Sequence, residues 1–304
     1  MKKNILLTIP LFIIVLFTGY SKHGSETTVR VLQSFPQKTF LENLVVDSDE
    51  TIYFTSYFDG KIYKMKKNCD AEVFAEIEGN ISGITISGDE QILVTGQCNK
   101  VAHVYHLDMK GKLLKTVILK KASYFLNGIC NYKNGLFFIA DSHKGVIWLY
   151  NMKTGNCSLW LKNFLLESPL PKDKKFRIGV NGLKFRKQTL FVTNTQARTV
   201  IKIKISDKGK ALSALKYATD ITGDDLAIDN DSNIYIATNP ENKIVKIDKY
   251  KGKTVIVNAE QGAVGVTALY RFSEKIFYAV TNGGLFNPPA DGLKEAKVLE
   301  ITLK

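Results

Sequence analysis

Four residues of this 304-residue chain carry oxygen-bearing side chains at matched places in a repeated sequence: Glu42, Asn127, Asn181 and Asp224. Two carboxylates and two amides are hard oxygen donors, a set that suits Ca²⁺ or another divalent cation. No His or Cys stands with them, which argues against zinc. Asn127-Gly128 and Asn181-Gly182 can each be read instead as a plain turn. Glu42 is a poor turn residue, so turn chemistry does not account for the set.

The elements that would have to position these side chains come from internal self-similarity. Short strand-like units begin at Phe40 (FLENLVVD), Ile81, Phe125 (FLNGIC), Gly179 (GVNGLKF), Gly223 (GDDLAID) and Gly265. Their head positions are Glu42, Ser82, Asn127, Asn181, Asp224 and Thr267, spaced by 40, 45, 54, 43 and 43 residues. A four-stranded meander needs about 40–50 residues, which is the spacing of propeller blades. No segment carries a helical period. The pattern predicts an all-β, six-bladed β-propeller over residues 28–304. The lone strand Thr28–Phe35 has no hairpin partner, and the last unit ends a strand short at Ala296–Leu303. Pairing the two closes the ring and removes its open edges. Inner strands of a propeller start beside the central channel, so the six heads converge there.

Polar corners after the second strand of each unit form a second tier: Tyr57, Gln97, Asp141, Asn194, Asn239 and Asn282. Of these, Asp141, Tyr57 and Asn194 are the candidate substrate contacts, with an ordinary polar loop corner as the competing reading. The proline-containing stretch 161–179 lies in the longest gap and is expected to cross one face. His103 and His106, three apart on a strand, point to opposite faces and are not a ligand pair. No GxSxG, Walker-type loop or GxGxxG before a helix is present, which leaves those enzyme classes without support.

Residues 1–20 read as a secretory signal peptide: Lys2-Lys3, an apolar run Ile5–Phe17, then Thr18 and Gly19. The run is short for a stable membrane span and is interrupted by Pro10; an uncleaved N-terminal anchor is the alternative. LFTGY has Tyr20 where a lipoprotein box requires Cys, so no lipid anchor is expected. Residues 21–27 form a loose connector, and the expected location is periplasmic or extracellular. The formal charge of +13 falls to +11 without Lys2 and Lys3. Its lysines alternate along strands such as Ile201–Ile205, marking solvated faces and giving no support for a nucleic-acid partner. Cys69, Cys98, Cys130 and Cys157 contain no CxxC pair, and Cys130 reads as a buried apolar filler.

With FLENLVVD, LNGI, VNGLKF and GDDLAID in this order, the chain from about Phe35 onward resembles the SMP-30/gluconolactonase/LRE-like family, six-bladed propellers related to paraoxonases. The resemblance implies a central Ca²⁺ or other divalent ion held by Glu42, Asn127, Asn181 and Asp224. It further implies hydrolysis of a small-molecule lactone or related ester, with the metal polarising the carbonyl and Asp224 acting on water as general base. Paraoxonases carry a His at the second head, where Ser82-Gly83 stands here, so a His-assisted mechanism is not implied. The competing class is a non-catalytic propeller of the NHL-like or strictosidine-synthase-like kind that binds a ligand or partner on its channel face.

Overall fold

A computed structural model describes residues 27–133, 135–174 and 176–304; residues 1–26, on which the leader and most of the connector fall, lie outside them. The described residues form six four-stranded antiparallel sheets arranged as a six-bladed propeller. The inner strands are Leu41–Val46, Asn80–Ile86, Leu126–Lys133, Val180–Arg186, Gly223–Ile228 and Val266–Arg271, and they define blades 1 to 6. Each inner strand packs on those of the two neighbouring blades, and the sequence of contacts returns from blade 6 to blade 1.

Closure is as expected from the unpaired ends. Thr27–Gln37 runs antiparallel to Glu295–Leu303, from Thr27 opposite Leu303 to Gln37 opposite Glu295. Thr27–Gln37 is thereby the outermost strand of blade 6. The only helical element among the described residues is a 3-10 turn at Phe164–Leu166, within the stretch expected to cross one face.

The core is distributed between the blades. Six apolar clusters each join two adjacent blades, as where Ile62 and Phe74 of blade 1 meet Ile81, Ile92 and Val94 of blade 2. A strand buried by neighbours on both sides loses the in–out alternation of a half-buried one. Every residue of Leu41–Val46 is accordingly buried, whereas Leu113–Ile118, the outermost strand of blade 2, is mostly exposed. In the third strand of blade 4 the alternation is kept: Ile201, Ile203 and Ile205 are buried while Lys202 and Lys204 reach outward. The turn between the first two strands of that blade uses Lys187 and Gln188 at φ 44° and 56°, the left-handed pair of a tight hairpin. The four cysteines are free thiols, and Cys130 is buried in the cluster between blades 3 and 4. His106 is buried with its Nε2 2.6 Å from the Tyr150 hydroxyl, while His103 lies on the more open face.

Candidate functional site

In all six blades the register between the first two strands slips at the head position. The slips fall between Leu41 and Leu44, Ile81 and Ile84, Leu126 and Ile129, Val180 and Leu183, Gly223 and Leu226, and Val266 and Ala268. A bulge leaves ladder groups unpaired and re-aims a side chain. In blades 1, 2 and 4 the unpaired amides are met by threonines of the second strand. Thr55, Thr95 and Thr193 accept from the N–H groups of Asn43, Gly83 and Gly182 at 3.1, 2.9 and 2.8 Å. The same hydroxyls donate to the head carbonyls of the next blade, Ser82, Asn127 and Asp224, each at 2.7 Å. Thr267 makes a similar link from blade 6 to blade 1 by donating to the Leu41 carbonyl at 2.8 Å.

The Asn-Gly pairs are therefore strand bulges, not turns, and their glycines serve close approach. A Cβ on Gly128 would stand 2.7 Å from the Asn181 carbonyl oxygen, and one on Gly182 2.6 Å from Asp225 Cα. Each head is thus seated against the backbone of the next.

Glu42, Asn127, Asn181 and Asp224 are all at least 92% buried and line one cavity of about 650 Å³. Asn181 Nδ2 donates to Asp224 Oδ1 at 2.6 Å and to Thr195 Oγ1 at 2.9 Å. Asn239 Nδ2 donates to the other oxygen of Asp224 at 3.1 Å. Burial raises the Asp224 pKa to about 7, against the lowering effect of the Asn239 and Asn181 hydrogen bonds, with the Asp225 charge adding to the rise. Glu42 is raised well above the usual carboxylate range, first by burial and then by the Asp224 charge, while a hydrogen bond from Asn127 opposes the rise. Two acids driven up together are short of positive charge. Among the described residues neither forms an ion pair.

Glu42 Oε2 and Asn239 Oδ1 are buried without a hydrogen-bond partner. Such oxygens, together with two unpaired carboxylates, fit a hard divalent cation. Among the described residues no three His, Cys, Asp or Glu side chains gather as ligands, so the remaining donors of such a site would be amides. Ser82 and Thr267, the other two heads, are turned to bridging: Ser82 Oγ donates to the Leu126 carbonyl at 2.7 Å.

The corner residues divide. Tyr57 and Asn239 line the cavity. Asp141 and Asn194, expected as substrate contacts, do not, because both are consumed in shaping loops. Asp141 accepts from the Ser123 amide (2.8 Å) and hydroxyl, the Trp148 indole (3.1 Å) and the Lys144 amide (3.0 Å). Asn194 donates to the carbonyls of Leu165 and Glu167 at 2.8 and 2.9 Å, fastening the stretch that follows blade 3. That stretch delivers Phe176 to the cavity. Phe40 and Phe125, also in the wall, stand two residues before Glu42 and Asn127; the repeated Phe-Leu before a head was the available signal. The far ends of the inner strands line a separate cavity of about 690 Å³, where Lys184 is 3.2 Å from Asp225.

A model of the SdiA-regulated family matches residues 60–220. Among curated proteins, lactonase drp35 of Staphylococcus haemolyticus (strain JCSC1435) is 23% identical over 254 residues, 77% of each chain. A putative hetero-Diels-Alderase of Phoma sp is 24% identical over 226 residues, and the match spans 62% of this chain and 64% of that one. Among solved structures, luciferin-regenerating enzyme superposes with a TM-score of 0.68 at 13% identity, over 91% of this chain and 95% of the other. At this identity the likeness is one of fold, and it is the fold of the SMP-30/gluconolactonase/LRE-like propellers.

Proposed function

The chain belongs to the SdiA-regulated family, and from that premise we propose that it hydrolyses lactones or related esters at the cavity floored by Glu42 and Asp224, with a divalent cation of the Ca²⁺ type. The observation that carries the reading is a buried pair of carboxylates without a basic partner, one of whose oxygens, Glu42 Oε2, has no hydrogen bond. The activity for which the relative lactonase drp35 is named supports the reaction class.

Glu42, Asp224, Asn127 and Asn181 would hold the cation, with Asn239 beside them. When bound, it would polarise the substrate carbonyl and stabilise the negative charge that develops on its oxygen. Asn181 and Asn239 fix both oxygens of Asp224, so its carboxylate is oriented before substrate arrives. Asp224 takes the proton from the attacking water and returns it to the ring oxygen as the acyl–oxygen bond breaks. The product is a hydroxy acid, with no change in oxidation state. Tyr57 lies in the wall with its phenol kept protonated by burial and the Glu42 charge, which supports a role for it as a substrate contact. The charged start and apolar run of residues 2–17 support export; among the described residues no helix is long and apolar enough to cross a membrane.

Equilibrium dialysis against CaCl₂, then a panel of γ- and δ-lactones with and without chelator, tests the reading. Bound cation and chelator-sensitive turnover are expected, with Asp224→Asn lowering kcat by roughly 10²–10⁴ at unchanged circular dichroism. Full turnover in that variant would refute the role of Asp224. Bound cation without turnover of any lactone or ester would favour a binding propeller.

A further inference from the structure

We infer that the cavity selects amphiphilic substrates: lactones or esters bearing an alkyl or aryl group, in preference to polyhydroxylated sugar lactones. This rests on the hydrolase reading and specifies its substrate class. Five aromatic rings close a circuit around the cavity. Phe40 is 5.5 Å from Tyr57, Tyr57 6.3 Å from Phe125, Phe125 5.9 Å from Phe176, Phe176 6.5 Å from Phe286, and Phe286 5.6 Å from Phe40. Phe58 packs on both Phe40 and Tyr57. The rings come from blade 1, the approach to blade 3, the stretch after it, and blade 6, so the circuit is a product of the whole ring. All six line the cavity that has Glu42 and Asp224 in its floor.

Three of them, Phe58, Phe176 and Phe286, are 57, 56 and 53% exposed. The segment bearing Phe176 is held by polar bonds: Arg177 donates to the carbonyls of Leu170 and Ser168, and Ile178 N–H to Gln196 Oε1. Arg198, Gln196, Thr222 and Glu241 of the same wall are already paired. Arg198 bonds Glu241 at 3.0 Å and Thr222 at 2.7 Å, and Gln196 Oε1 also accepts from Ser168. A sugar lactone would exchange hydration of its hydroxyls for apolar rings and satisfied polar groups, which is unfavourable. At the floor, Glu42 Oε2 and Asn239 Oδ1 are buried acceptors without a hydrogen bond. The complementary ligand has one polar end and an apolar body.

The test is a γ-lactone series with ethyl, butyl and hexyl side chains, with glucono-δ-lactone as the polar comparator. Each buried methylene is worth about fourfold in kcat/KM, or roughly 10²-fold from ethyl to hexyl. Phe58→Ser and Phe286→Ser, at half-exposed positions, should flatten that slope, and Phe58→Leu should retain it. A flat wild-type series, or preference for the sugar lactone, overturns the inference. Binding of 2-alkylcyclopentanones, read by calorimetry in the presence of Ca²⁺, separates this from the reaction itself. Affinity that rises with chain length and is flattened by the serine variants upholds the collar even if no lactone is cleaved. Cleavage of lactones with no dependence of binding on chain length overturns the collar and leaves the hydrolase reading intact.

Discussion

Glu42→Gln separates a cation site from two acids that merely share a proton. The replacement is nearly isosteric, so the bulge at Leu41–Leu44 and the packing of Phe40 are kept while one floor charge is lost. A cation bound with a Kd of about 10 µM, supplied at 1 mM, stabilises the fold by about 2.7 kcal/mol. Unfolding entropy near 2.1 cal/mol/K per residue gives a chain of this size about 0.6 kcal/mol/K, so the wild-type Tm should rise by about 5 °C. Replacing the carboxylate by an amide weakens binding at least about 30-fold, since an ion at 4 Å is worth several kcal/mol even at an effective dielectric of 20. The Ca²⁺-induced shift then falls below about 2 °C. Without cation the order reverses: the raised Glu42 carboxyl costs stability as pH rises above its unfolded value, the amide does not, and the variant should melt above wild type. Scanning calorimetry of both proteins, in CaCl₂ and in chelator, reads all four values. Equal shifts in the two proteins, or a wild-type Tm unmoved by Ca²⁺, Mg²⁺ and Mn²⁺, would refute the assignment.

Gly182→Ala should cost about 2 kcal/mol or more, because its Cβ meets Asp225 Cα at 2.6 Å and the Asp224 carbonyl at 2.7 Å. Denaturant unfolding and Ca²⁺ titration should both register it, and an unchanged midpoint would show that the blades separate freely at this contact. His106 should make the protein acid-sensitive. Burial, aided by Lys115, holds its pKa down to about 4. The unfolded chain therefore takes up a proton near pH 6.5 that the folded one refuses until about 4, and up to about 3 kcal/mol of stability is lost as pH falls through that window. Denaturation midpoints at pH 7.5 and 4.5 should diverge less in His106→Gln; equal divergence would assign the acid response to other groups.

The repeats made six blades and their closure legible, because burial between neighbours repeats at blade spacing and two ends were short of a partner. The convergence of Glu42, Asn127, Asn181 and Asp224 on one cavity was legible by the same alignment. The bulges that aim them were not, since an extra residue in a strand leaves no periodic mark. Nor were the threonine bridges: Thr55, Thr95 and Thr193 look like ordinary β-formers until each is seen joining two blades. The loop bonds of Asp141 were not legible either, because a corner aspartate that caps its own loop and one that faces a ligand have the same sequence surroundings. The aromatic circuit escaped because its rings lie outside the strands, where no repeat fixes their direction.

The strand shared by the two ends has a bearing on how the protein is made. Glu295–Leu303 must be present before Thr27–Gln37 has anything to pair with, and Glu42's strand is tied to blade 6 through Thr267. A chain growing from its N-terminus therefore carries Glu42, Asn127, Asn181 and Asp224 before the ring that gathers them can close. Contacts between residues so far apart in sequence also form slowly. A truncation at the extreme C-terminus, far in sequence from every floor residue, would act as a lesion of the cavity floor.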